Sequence, residues 1–170
     1  RPPSIIKAPE NSTCIVGSFG EDSTTVLDGF VLTGGNGHYG GAIALRNGSS
    51  PVLRNLIIHT NTARQGGGIF CHASSPLIQN VLIAMNSADL GGGICCTIGS
   101  SPRIINTTIV ENEAQKGSGI MAMRNSSPHL EKSIVAYQPS GWGIYCEGAT
   151  SRVVFTCCDL WSNVPVSYTH

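Results

Sequence analysis

Apolar and polar positions alternate in short runs along this chain, and the runs recur at a nearly fixed distance. Five Gly-rich segments each lead into an isoleucine: Gly40-Gly41-Ala42-Ile43, Gly66-Gly67-Gly68-Ile69, Gly91-Gly92-Gly93-Ile94, Gly117-Ser118-Gly119-Ile120 and Gly141-Trp142-Gly143-Ile144. The isoleucines fall at 43, 69, 94, 120 and 144, in steps of 26, 25, 26 and 24 residues. A second anchor, Ser-Ser-Pro, stands at 49–51, 74–76, 100–102 and 126–128. Two residues after each proline comes Leu53, Ile78, Ile104 or Leu130. Five and seven after it come Leu56 and Ile58, Val81 and Ile83, Thr107 and Ile109, Ser133 and Val135. Such pairs have the period of two that marks strands, and no window sustains the 3.6 period of a helix. The longer period marks a stacked repeat, in which each unit buries its apolar face against its neighbours.

The turn positions sharpen this picture. Asn55, Asn80 and Asn106 share one column; Asn61, Asn86 and Asn112 share another, and the upstream unit places Gly29 and Gly35 in the same two columns. Asn and Gly both tolerate a positive φ. Each unit is therefore expected to turn two left-handed corners besides the Gly-rich one, giving three strands per coil. Coils would stack in register about 4.8 Å apart.

GGGIxC, SSPxI and the Asn corners, spread from about Ile5 to Asn163, resemble the right-handed parallel β-helix repeat of the pectin-lyase-like superfamily. The likeness extends to bacterial secreted or cell-surface proteins that carry many such repeats. It implies an all-β fold, a right-handed parallel β-helix of about six coils of 24–26 residues. The whole of 1–170 then reads as one domain: a partial coil at 1–13 and a coil at 14–39. Regular coils follow at 40–65, 66–90, 91–116 and 117–140, then a degenerate coil at 141–164 and a tail at 165–170. The chain starts Arg1-Pro2-Pro3 and shows no capping unit, so it is expected to be a segment of a longer polypeptide.

Charge narrows the partners. Ten basic and ten acidic residues cancel, and only 12% of the chain is charged. No basic patch argues for nucleic acid, and no apolar run reaches the length of a membrane span. Seven cysteines include the vicinal pairs Cys95-Cys96 and Cys157-Cys158 but no CxxC, so neither a metal site nor a cofactor is expected. In the strand after each Gly run, the isoleucine and the residue two later point inward, which lines up Leu45, Cys71, Cys96, Ala122 and Cys146. That column reads as a ladder of free thiols among small apolar residues, with a Cys71–Cys96 disulfide as the alternative.

The outward residues of the same strand form the face that, by the resemblance, commonly carries substrate. Arg46, Phe70, His72, Met121, Met123, Tyr145 and Glu147 are the candidate binding residues there, suited to a polysaccharide or a partner protein. No catalytic residue is assigned. The calcium-holding Asp cluster of pectate lyases is missing, and so is the paired Asp with Gly-His-Gly of polygalacturonases. Gly37-His38-Tyr39-Gly40 is a faint echo without acids. His72 and Glu147 share the face three coils apart, about 14 Å, too far for an acid–base pair. The expected function is a non-catalytic structural, adhesive or carbohydrate-binding scaffold of an extracellular or cell-surface protein, open to end-to-end self-association. The alternative is the β-helix of a polysaccharide lyase or glycoside hydrolase.

Overall fold

A computed structural model describes residues 2–163. The expected tail at 165–170 and the last residue of the expected degenerate coil lie outside them. Among the described residues every paired strand is parallel, and the chain winds as a solenoid with four sheets along its length. The first sheet stacks six strands: Ile15–Gly17, Ile43–Arg46, Ile69–His72, Ile94–Thr97, Ile120–Met123 and Ile144–Glu147. The second also has six: Val26–Asp28, Val52–Arg54, Leu77–Gln79, Arg103–Ile105, His129–Glu131 and Val154–Thr156. The third has seven: Ser4–Lys7, Phe30–Thr33, Ile57–His59, Leu82–Ala84, Thr108–Val110, Ile134–Ala136 and Asp159–Trp161. This is the right-handed parallel β-helix, the hand that crossovers between parallel strands of one sheet take.

One feature departs from three strands per coil. The stretch between the third strand and the Gly run is itself a short strand: Asn36–Tyr39, Thr62–Gln65, Ser87–Leu90 and Glu113–Lys116 form a fourth sheet. It escapes the apolar pattern because its one inward position is small, Gly37, Ala63, Ala88 or Ala114. A small residue there lets the fourth sheet lie close against the core.

Register makes the interior. Ile43, Ile69, Ile94, Ile120 and Ile144 stand on one another, strand over strand, and each is at most 1% exposed. Leu53, Ile78, Ile104 and Leu130 do the same from the second sheet, and Ile58, Ile83, Ile109 and Val135 from the third. These columns meet in one continuous core. A fully buried aliphatic side chain of this kind contributes about 1.5–3 kcal/mol, so the columns together supply most of the drive to stack.

The corners correct one expectation. Gly29, Asn55, Asn80 and Asn106 have positive φ as expected, joined by Lys132 and Cys157. Gly35, Asn61, Asn86 and Asn112 do not; the left-handed residue is the one before each, Gly34, Thr60, Met85 or Glu111. The Asn side chains turn inward and build a hydrogen-bonded ladder instead. Asn61 N–H and Nδ2 donate to Asn86 Oδ1 at 3.1 and 2.9 Å, and Asn86 N–H donates to Asn112 Oδ1 at 3.0 Å. Asn112 N–H continues to Gln138 Oε1 at 2.9 Å. Gly35 begins the ladder by donating its N–H to Asn61 Oδ1, and it lacks a side chain because a Cβ would run into the Gly41 carbonyl. Buried backbone groups at a corner need partners, and a carboxamide supplies both a donor and an acceptor.

Cys14, Cys71, Cys95, Cys96, Cys157 and Cys158 are free thiols. Cys71 and Cys96 face each other in register on adjacent strands. The hydrogen bond with Cys71 and complete burial hold the Cys96 thiol well above its usual pKa, and burial raises Cys95. Raised, buried thiols are poor nucleophiles. A disulfide reagent such as DTNB should therefore modify exposed Cys157 first, while Cys71, Cys95 and Cys96 react only as the fold opens. Early labelling of Cys71 or Cys96, read by peptide mass, would contradict the closed core.

Candidate functional site

The outward face of the first sheet is not a flat solvated surface. Ala44, Phe70, Cys95 and Met121 occupy its first outward column and are between 0% and 3% exposed. They are covered in part by residues that end the fourth-sheet strands. Tyr39 lies 5.1 Å from Phe70, ring centre to ring centre, and Leu90 packs on the same cluster. Phe70, Cys95, Met121 and Met123 thus form a second, smaller apolar core outside the coil.

Over this second core runs a groove of about 350 Å³. Tyr39, Arg46, Asn47, Gln65, Phe70, His72, Thr97, Met123 and Arg124 line it. Arg46 holds its guanidinium 5.2 Å over the Tyr39 ring, an arrangement in which the ring's negative face attracts the cation. The His72 ring lies 6.2 Å from Phe70. From the Arg46 strand to the Met123 strand the groove crosses three strand spacings, about 14 Å.

Two atoms of residues that line this groove are unusual. His72 Nδ1 and Thr97 Oγ1 are both buried and both lack a hydrogen-bond partner among the described residues. Thr97 as a whole is only 3% exposed. An unsatisfied buried polar group costs about 1–3 kcal/mol, so each is a standing invitation to a ligand atom or an ordered water. The lining carries two arginines and a histidine and no carboxylate.

Of the seven residues expected to bind, Arg46, Phe70, His72 and Met123 come together in the groove. Met121 lies beneath it, wholly buried. Tyr145 lies outside, stacked on Trp142 at 4.7 Å with Lys116 Nζ 5.0 Å over its ring. Glu147 is exposed beyond Met123 on the next strand. Tyr39, Asn47, Gln65 and Arg124 join from positions that strand alternation does not reach. Tyr39 and Gln65 stand immediately before the corner glycines Gly40 and Gly66, and that placement was the available signal. Asn47 and Arg124 are left-handed corner residues just after their strands.

Among the described residues no group of three or more His, Cys, Asp or Glu side chains could hold a metal ion. No helix is long and apolar enough to cross a membrane. No curated protein and no solved structure matches the chain. The profile of the family described as the right-handed beta helix region matches residues 19–169. The periodic sequence, the parallel stacked coils and this match agree, and the chain belongs to the right-handed β-helix region family.

Proposed function

We propose that this β-helix is a non-catalytic, carbohydrate-binding scaffold of a secreted or cell-surface protein, and that the sugar lies in the groove over Phe70, His72 and Thr97. The observation that carries this reading is the pair of unpartnered buried atoms, His72 Nδ1 and Thr97 Oγ1, beside aromatic rings. A sugar hydroxyl both donates and accepts, so one ligand edge satisfies an imidazole nitrogen and a threonine hydroxyl together. Tyr39 and Phe70 offer apolar flanks for the C–H faces of a pyranose.

The second reading, a lyase or glycosidase, draws on the cations Arg46, His72 and Arg124 in the same groove. Hydrolysis by two carboxylates about 5–9.5 Å apart has no pair to use in this lining. Titration calorimetry with a panel of neutral and acidic oligosaccharides separates the readings. The scaffold reading expects a wild-type ligand that His72→Ala and Thr97→Val each weaken about tenfold, the loss of one buried hydrogen bond. It also expects the oligosaccharide to be recovered intact by mass spectrometry. Shortened or unsaturated products would establish the enzyme instead, and binding that ignores both substitutions would remove the groove from the account. Fractionation of source cells tests the extracellular assignment.

A further inference from the structure

We propose that the outer face of the third sheet is a homodimer interface, on which two copies pack face to face with their coil axes antiparallel. Ile57, Leu82, Thr108 and Ile134 follow one another in an outward column there, the three apolar members at 38%, 37% and 40% exposure. Met85, Tyr137 and Trp161 flank it at 54%, 51% and 52%. Between Thr33 and Ala136 the outward positions of this sheet hold no lysine, arginine or carboxylate. The neighbouring faces differ. The second sheet carries the ion pairs Arg54–Asp28 at 2.8 Å and Arg103–Glu131 at 2.7 Å, and the fourth carries Arg64, Asp89 and Glu113. An exposed, mostly apolar face flanked by faces that carry charges marks an interaction surface.

Charge selects the occupant. The face has its full charges at its ends and margins: Lys7 on the first strand, Asp159 on the last, Glu111 at the corner after the fifth strand and Lys132 at the corner before the sixth. A two-fold axis along the strand direction sets the first strand opposite the seventh, the second opposite the sixth and the third opposite the fifth. Lys7 of one copy then meets Asp159 and the Trp161 ring of the other, at both ends of the interface. Glu111 comes level with His59 and Thr60 of the other copy. A parallel arrangement would bring Lys7 near Lys7 and Asp159 near Asp159. The surface is therefore complementary to itself in one orientation, as an isologous contact requires.

The area is sufficient. Seven strands at about 4.8 Å give a length of about 34 Å, and a strand with its corner, at about 3.3 Å per residue, gives a width of about 16 Å. The projected patch of roughly 550 Å² understates the accessible area, since side chains stand out from it. Stable specific contacts begin near 600 Å² per partner. An interface of this size is expected to be reversible.

Sedimentation velocity over two decades of concentration tests this on the whole chain. We expect a monomer–dimer equilibrium that Leu82→Lys weakens at least tenfold, because the central strand opposes itself and two ammonium groups would meet. Lys7→Asp should also weaken it, and Lys7→Asp combined with Asp159→Lys should restore it. Leu82 is solvent-exposed, so far-UV circular dichroism should be unchanged; Ile57→Ser is the second variant if Leu82→Lys fails to fold. A monomer at every concentration overturns the proposal. So does a dimer indifferent to Leu82→Lys, or a charge swap that restores nothing. The groove lies on another sheet, so the outcome is independent of the ligand measurement.

Discussion

Replacing Gly66 by alanine should remove about 3–5 kcal/mol of stability, enough to unfold much of the population of a typical domain. Gly66 has φ +68° and turns the chain from the fourth sheet into the first. Conformation alone does not make it obligatory, because Thr60 and Met85 hold positive φ at another corner. The difference is space. A Cβ on Gly66 would stand 2.5 Å from the Ile69 carbonyl oxygen and 2.9 Å from Phe70 Cα, both fixed backbone atoms. Glycine fills this place in all five coils, at Gly40, Gly66, Gly91, Gly117 and Gly141, each with positive φ. Gly48→Ala is the control: its φ is +82°, but nothing lies within 4 Å of the added Cβ. That variant should lose only the conformational cost, about 1–2 kcal/mol. Urea unfolding followed by circular dichroism measures both. Equal losses would mean that overlap with the strand is unimportant and that φ alone sets the requirement.

The second large effect is expected at Asn86, which is 1% exposed in the middle of the corner ladder. Its Oδ1 accepts from two Asn61 donors, and its Nδ2 donates to the Ile58 carbonyl and to Asn112 Oδ1, each at 3.0 Å. Asn86→Leu keeps the volume roughly and leaves the Asn61 backbone N–H without its acceptor in the interior. The loss should be about 3 kcal/mol, against less than about 0.5 kcal/mol for exposed Asn80→Leu's removed side-chain bond alone. Asn86→Asp tests the polarity of the ladder. A carboxylate there would face the Ile58 carbonyl and Asn112 Oδ1 with no proton to offer, so burial and repulsion raise its folded pKa above the unfolded value of about 3.9. A raised acid stabilises the fold while protonated and loses that contribution as pH rises through the folded value. Unfolding midpoints of Asn86→Asp should fall from pH 4 to pH 7 relative to the parent chain. A flat difference would show that the ladder is open to water.

The Ile and Pro spacings made the coils legible because a stacked repeat leaves the same residue wherever the same packing problem recurs. The Asn columns were legible as important but not in mechanism. Asn55 and Asn61 look alike in sequence, yet one tolerates a left-handed backbone and the other caps the corner of the preceding coil. The fourth sheet was hidden because Ala63, Ala88 and Ala114 give too weak an apolar signal over four residues. The groove was half legible. Alternation from Ile43, Ile69 and Ile120 finds Arg46, His72 and Met123, but it cannot say that Tyr39 and Leu90 roof the neighbouring column.

Sequence alone determined the winding: the period, the inward columns and the glycine corner follow from local turn chemistry and from apolar residues repeating every coil. Only the tertiary structure decided which outward residues are open. Whether a side chain one step out from the core meets water depends on what the neighbouring strands place over it, as Tyr39 and Leu90 are placed here. Phe70, Cys95 and Met121 are buried under that cover, while Arg46 and His72, at the ends of the first-sheet strands, line a groove.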